Sequence, residues 1–338
     1  MADARSDRLA LTYDSAGLTD GVGAQLQRIY GIYSISRLLG VSYVHTPIGR
    51  VDYQGLSALQ RNAADASFHA EFNALCRIPS DPLPTNKVRT VALKNISPEI
   101  FQQLVAASKA PESGGLPLLV QLRLPYGIAD RFPECYEICK QLSPFTRDAG
   151  RRLRVALHVR RGELFVVSSD RMLPNSYYVD AAQKVVRTLD ALGVDYSIEL
   201  HTEVADAAFT VRPGDHGIGD RIAVSAAVTP AMSRLEEFDV LPNLVRCINE
   251  PAVDCLRKLA TADVLVMSHS SFSYVAAILN RSGVVLYHRF WHNPLSSWLT
   301  MGDAEPLDEP RFRQRIEGLR SQLATGGAFP EAELNGLR

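Results

Sequence analysis

The sequence has no charge to spare. Its 36 lysines and arginines stand against 37 aspartates and glutamates, a formal net charge of −1, so it lacks the basic excess that nucleic acid or an anionic membrane surface demands. Cysteine is sparse: Cys76, Cys135, Cys139, Cys247 and Cys255. An odd number without paired short spacings is no disulfide framework, and Cys135/Cys139 misses the Cys-x-x-Cys spacing of metal and redox sites, so reduced core thiols are expected. The polar start from Met1 to Arg8 leads into no apolar stretch long enough for a signal peptide or a membrane span. A reduced, cytoplasmic setting is the expectation. There is no internal repeat and no low-complexity tract. His-Glu-x-x-His, Cys/His clusters and Asp-x-Asp are all missing, so no tightly bound metal is expected. Neither a Gly-x-Ser-x-Gly elbow nor a Walker loop occurs, which disfavours a hydrolase triad or an NTPase.

What is present fits a packed globular protein. The 338 residues, 46% hydrophobic and 22% charged, have room for two domains of roughly 150 residues. Residues 8–13 read as a strand running into a Gly/Asp-rich turn from Asp14 to Gly23. Leu26, Ile29, Tyr30, Tyr33 and Leu38 then keep nearly helical spacing over Gln25–Leu39, with Gly40 as a stop. Val41–His45 is a second strand. Residues 50–115 carry no pattern that resolves into elements. Leu116–Leu124 reads as a strand and Ala129–Leu142 as a helix closed by Ser143-Pro144. The polar stretch 145–152 marks a boundary, dividing the chain into 1–148 and 149–338.

The second half alternates more clearly. Strands are expected at Leu153–Val159, Tyr196–His201, Val264–Met267 and Val284–Tyr287, and helices at Asn175–Leu192, Glu250–Thr261 and Ser271–Leu279. A long loop covers about 204–232. Apolar strands such as Val-Leu-Val-Met alternating with helices predict an α/β fold with a parallel sheet covered on both faces. Ligands of such sheets bind at the carboxyl ends of the strands, which directs attention to the residues just after 159, 201 and 267.

Each of those places carries polar residues. His158-Val159-Arg160-Arg161-Gly162-Glu163 puts two guanidiniums and a glycine at a strand end, where they can clamp phosphate oxygens; a surface Arg-Arg pair balanced by Glu163 would read the same. Met267-Ser268-His269-Ser270-Ser271-Phe272-Ser273 lies between a strand and a helix, so its serines can cap the helix and its free N–H groups can face an anion. Capping alone accounts for one serine. Glu199-Leu200-His201-Thr202-Glu203 ends a third strand, with His201 equally readable as a wall residue or a ligand contact. Thr19-Asp20-Gly21-Val22-Gly23-Ala24-Gln25 precedes a helix but lacks the complete dinucleotide fingerprint, and reads as a close-approach loop from the first domain. His288 and His292 flank Phe290-Trp291, for which core packing is the simpler reading.

Taken in order, these segments resemble the inverting fucosyltransferases of the alpha-1,2, alpha-1,6 and protein O-fucosyltransferase superfamily, including its bacterial alpha-1,2 members. Residues 158–163 look like the family's His-x-Arg-Arg-Gly-Asp, with Glu163 where Asp is usual. Within the run Leu265–Asn280, the part from Ser270 onward is similar to Ser-Ser-Phe-Ser-Trp-Trp-Ala-Ala-x-Leu-Asn. The start at 19–39 looks like Gly-Gly-x-Gly-Asn-Gln-x-x-Gln, with Asp20 replacing Gly and Ala24 replacing Asn. His201-Thr202-Glu203 stands where the family has Ser-Asp-Asp. The resemblance implies a GT-B architecture: two Rossmann-like domains facing across a cleft, the acceptor on the N-terminal side and the donor held mainly by the C-terminal one. It also implies metal-independent, inverting transfer of fucose from GDP-fucose to a hydroxyl of a glycan or other acceptor, with the nucleotide sugar as substrate and no resident cofactor.

On that reading Arg160 meets the leaving phosphate, with Glu163 and His158 as further catalytic candidates. Donor contacts are expected from Arg160, Arg161, Gly162, His201, Thr202, Glu203, His269, Ser270, Ser271, Phe272 and Ser273, and from Gly21, Val22, Gly23 and Gln25 across the cleft. Asp14 and Asp20 are candidates for the acceptor side or the base. Another nucleotide sugar (GDP-mannose, a dTDP- or UDP-sugar) or a non-catalytic nucleotide- or carbohydrate-binding protein would keep the fold. An NAD(P) oxidoreductase would need the fingerprint that is absent.

Overall fold

The computed structural model describes residues 6–16, 20–63, 65–83, 87–109, 116–147, 152–215, 222–302 and 305–325. The first half builds β1 (Ser6–Tyr13), α1 (Val22–Leu39), β2 (Val41–Val44), α2 (Leu56–Arg61), α3 (Phe68–Leu75), β3 (Arg89–Asn95), α4 (Pro98–Lys109), β4 (Leu118–Leu124) and the one-turn α5 (Tyr126–Ala129). Its four strands form a parallel sheet in the order β2-β1-β4-β3. The stretch 50–115 thus holds three helices and an edge strand. β3 is exposed along most of its length, and an edge strand half-bare to water shows little hydrophobic alternation. The helix expected over 129–142 is instead α5 followed by a 3-10 run from Pro133 to Leu142. Pro133 has no N–H to donate and its ring blocks the preceding turn, so one continuous α-helix cannot pass through it.

The second half builds β5 (Leu153–His158), α6 (Leu164–Val167), α7 (Asn175–Ala191), β6 (Tyr196–Thr202), β7 (Phe209–Val211), β8 (Ala226–Val228), β9 (Leu244–Ile248), α8 (Ala252–Ala260), β10 (Val264–Val266), α9 (Ser271–Leu279), β11 (Val284–Tyr287), β12 (Leu299–Thr300) and α10 (Glu309–Thr325). Six strands form a parallel sheet in the order β12-β11-β10-β5-β6-β9. The stretch read as one long loop contains the antiparallel hairpin β7–β8, with residues 216–221 outside the described ones. Strand β9, in Leu-Val-Arg-Cys-Ile, and α10 are additions to the sequence reading. Among the described residues, no helix is long and apolar enough to cross a membrane.

The chain passes from the first sheet to the second between Leu124 and Leu153. The polar stretch lies in that crossing, and residues 148–151 of it, including the expected boundary, fall outside the described ones. The hydrophobic core does not divide there. One cluster runs from Leu11, Ile29 and Tyr43 through Tyr136 to Leu265, Val275 and Leu279. Helix α9 makes this joint: every side chain from Ser273 to Leu279 is buried, as an all-round apolar helix must be. A Cβ on Gly23 at the start of α1 would lie 2.6 Å from the Phe272 backbone, so only glycine lets α1 and α9 approach this closely. A second cluster covers the other face of the larger sheet, where Leu153, Val155 and Leu157 pack on Tyr178, Val185, Phe312 and Ile316.

Candidate functional site

In the larger sheet β5 and β10 are neighbours, and the chain departs from them in opposite directions, to β6 and β9 on one side and to β11 and β12 on the other. Loops leaving such a switch point diverge and open a crevice at the carboxyl edge. Arg160 follows β5 and Ser270 follows β10, and the Arg160 guanidinium donates to Ser270 Oγ at 3.0 Å. Ser270 is also the N-cap of α9, its Oγ accepting the Phe272 N–H at 3.2 Å. The other arm of Arg160 forms a close ion pair with Glu163. A positive side chain and the open N–H end of a nine-residue helix therefore point at one place, an arrangement suited to an anion.

That place is the wall of a cavity of about 460 Å3. Asp20 to Ala24 and Tyr53 to Gly55, with Ser57 and Ala58, line it from the first half of the chain. His158 to Arg161, Glu163, His201 to Glu203, Asn249 to Ala252 and Ser270 to Phe272 line it from the second. The two walls are tied through Glu203. Its Oε1 accepts the Leu56 N–H at 2.9 Å and its Oε2 accepts the Tyr53 hydroxyl at 3.0 Å. Gly162, in the left-handed region at φ 60, leaves room for this pair, since a Cβ there would meet Tyr53 Oη at 2.9 Å.

Burial sets the charge states. It works against the Arg160 charge, but Glu163, with Tyr53 and Glu203 adding to it, more than offsets the burial and holds the guanidinium protonated. The Glu203 carboxyl is pushed up by burial and then by the neighbouring Glu163. Burial also raises the Tyr53 phenol far above its ordinary value, so it remains a donor. His158 is pushed down to about 3 by burial, with Arg160 and His201 adding to the effect. It is a neutral imidazole near pH 7, its Nδ1 paired with Ser268 Oγ at 2.8 Å.

The expected site residues separate into three groups. Arg160, Glu163, His158, His201, Thr202, Glu203, Ser270, Ser271, Phe272, Gly21, Val22, Gly23 and Asp20 meet at the cavity. Arg161 borders it, but its guanidinium is spent on Asn175 Oδ1 and on the Arg160 carbonyl at 2.8 Å. It anchors the loop to the start of α7, and Gly162 gives the loop its turn. The third group lies off the cavity wall. His269 stacks on Phe290 and pairs with His288 at 2.8 Å. Ser273 is fully buried and donates within its own loop to the carbonyls of Ser268 and Ser270. Asp14 is paired with Arg123 at 2.9 Å. Gln25 works from behind, its amide donating to the carbonyls of Asp20 at 3.0 Å and Arg50 at 2.6 Å, and so ties together the two loops of the first wall. Thr19 lies outside the described residues.

Sequence reasoning missed Tyr53, Asn249, Glu250 and Cys247. Asn249-Glu250-Pro251 repeats the pattern of apolar strand, polar residues and helix start used for the other strand ends, and was legible on that ground. Tyr53 carried no such signal. Phe290 belongs to an aromatic core with Tyr274, Tyr287 and His292, whereas Trp291 is half exposed beneath the Arg171 guanidinium.

Beside the Arg160 loop a second polar group occupies the same sheet. His201 faces Glu250 Oε2 from Nδ1 at 3.1 Å and Glu199 Oε2 from Nε2 at 3.3 Å. Burial raises the Glu199 carboxyl, but two bonds from Arg154 and the contact with His201 bring it down to about 2. The donor atoms of His201, Cys247 and Glu250 lie within 4.8 Å of one another, a grouping that no local spacing announces.

No family model matches the sequence, and no curated protein matches it. Among solved structures the chain is similar to the E. coli ADP-heptose lps heptosyltransferase II, at 14% identity over 93% of this chain and 99% of that one, with a TM-score of 0.34. It is similar to E. coli heptosyltransferase WaaC with ADP, at 13% identity over 92% and 99%, TM-score 0.40. It is also similar to POFUT1 in complex with GDP, at 11% identity over 82% and 95%, TM-score 0.38. At such identities the donor and the chemistry have to be argued from this chain's own residues.

Proposed function

We propose that the chain is a glycosyltransferase of GT-B architecture that uses a nucleotide-sugar donor. The observation that carries this reading is the Arg160–Ser270 contact at the switch point, where a guanidinium and the start of α9 face one cavity. The residues from 149 onward hold the donor, and those up to 148 supply the acceptor wall. In the transfer the acceptor oxygen forms a bond to the anomeric carbon as the bond to the β-phosphate oxygen breaks, and the nucleoside diphosphate leaves. Negative charge grows on that phosphate, and positioned donors such as Arg160 and the α9 N–H groups lower the barrier by stabilising it. The same two partners suffice for a metal-independent transfer. In-line attack gives inversion.

GDP-fucose is the donor this reading favours, on the motif likeness at 158–163 and 265–280. The acceptor hydroxyl proton goes to Glu163 or Asp20, carboxylates on opposite walls of the cavity that are ion-paired with Arg160 and Arg28; turnover of Glu163→Gln and Asp20→Asn separates them. The test is calorimetric titration with GDP, UDP, dTDP and NAD in the presence of a chelator, followed by turnover with GDP-fucose and GDP-mannose. Selective GDP binding is the expected result. Preference for UDP or dTDP discards the donor but keeps the transferase, and binding of none of the four discards both.

A further inference from the structure

The sheet brings His201 and Cys247 side by side. They are register partners across parallel β6 and β9, so their side chains project from the same face as cross-strand neighbours. Glu250 follows two residues beyond the end of β9, and its carboxylate closes the group, with all three donor atoms within 4.8 Å. All three residues line the cavity wall, while the His201 side chain is fully buried.

His201 stands between two carboxylates. Glu199, two residues earlier on the same face, is held by Arg154 through bonds of 2.9 and 2.8 Å. It lies 3.3 Å from Nε2, where a carboxylate can only accept. On the other side of the ring Nδ1 faces Glu250 Oε2 at 3.1 Å. A carboxylate holding one imidazole nitrogen while the other turns to a shared cation is the usual way a protein orients a metal-binding histidine. Nitrogen, sulfur and oxygen donors together suit zinc, and three protein ligands leave a fourth position open. Lys258 marks the demand for positive charge: its ammonium pairs closely with Glu250 and stands 3.9 Å from Cys247 Sγ.

We infer that His201, Cys247 and Glu250 form a site for a divalent cation of zinc type, with its open coordination position toward the cavity and Lys258 as its competitor. Binding replaces the thiol proton of Cys247, which leaves to solvent. The site is argued from these contacts alone and stands or falls independently of the glycosyl-transfer reading.

The full-length protein, stripped with chelator and dialysed, is titrated with Co2+ and then with Zn2+. One equivalent of Co2+ should bind with a thiolate-to-cobalt charge-transfer band in the near ultraviolet, and Zn2+ should displace it. Cys247→Ser should lose the band and Cys255→Ser should keep it. Lys258→Met removes the competing ammonium and should tighten Zn2+ binding by about tenfold or more, the size of effect that neighbouring groups have at such sites. A wild-type protein that binds Co2+ without the band, or not at all, overturns the inference. So does a band that survives in Cys247→Ser, which would assign it to another thiol. If Cys247→Ser does not fold, the Lys258→Met titration decides: unchanged or weaker Zn2+ binding rejects the site.

Discussion

The two walls of the cavity are built on different principles. The wall from the second half consists of strand ends, and its key pairs join segments that the sheet already holds side by side: Arg160 and Ser270 follow adjacent β5 and β10. The wall from the first half consists of loops and the starts of α1 and α2, which no sheet hydrogen bonds hold. Gln25 ties Asp20 to Arg50, Arg28 pairs with Asp20, and Glu203 reaches from the other half to fix Tyr53 and Leu56. One wall is rigid by topology and the other by a few polar ties, so damage to the first should appear in chemistry and damage to the second in closure and stability.

The largest effect should come from the rigid wall. Arg160→Ala is expected to lower turnover by about 10²–10³-fold, about 3–4 kcal/mol of transition-state stabilisation, as loss of one oxyanion donor does. Circular dichroism and steady-state kinetics on the same preparation check it; near wild-type turnover would remove Arg160 from the mechanism. The joint between the walls comes next. Gly23→Ala places a methyl 2.6 Å from the Phe272 backbone, and overpacking of that kind costs about 1–3 kcal/mol, read as a lower urea midpoint. An unchanged midpoint would mean that α1 and α9 separate freely.

The tied wall should answer more gently. Tyr53→Phe removes the hydroxyl from Glu203 and leaves a buried carboxylate oxygen short of a donor, a loss of about 1–2 kcal/mol. Limited proteolysis should then cut faster in the 50–63 region than in the loop after β5, and equal rates would erase the contrast between the walls. The last effect is spread over pH, small within any one pH unit. His158 is pushed down in the folded state to about 3, so its contribution is fully present above about pH 6.5 and is lost as pH falls through the window from 6.5 toward 3. About 1 kcal/mol should go per pH unit, visible as a pH-dependent denaturation midpoint that flattens in His158→Gln.

The same contrast separates what could be read along the chain from what could not. The strands β5, β6, β10 and β11 are apolar runs bounded by polar residues, and a buried parallel strand must look like that because both of its faces are covered. Their polar ends and the serine-rich start of α9 were legible for the same reason, as local breaks in an apolar pattern. Edge strand β3 offered no such signal, because its side chains face water along most of its length. Four serines at 268–273 look alike in sequence, yet Ser270 faces Arg160 while Ser273 turns into its own loop. Only the helix direction decides that difference.

By itself the sequence determined the parallel α/β class and the strand ends that carry polar chemistry, because each depends on a few consecutive residues. The tertiary structure decided which of those residues meet. Tyr53 reaches Glu203 across 150 residues, and His201 reaches Cys247 through the register of β6 and β9. Such pairings follow from how strands align and helices pack, and no local spacing can encode them.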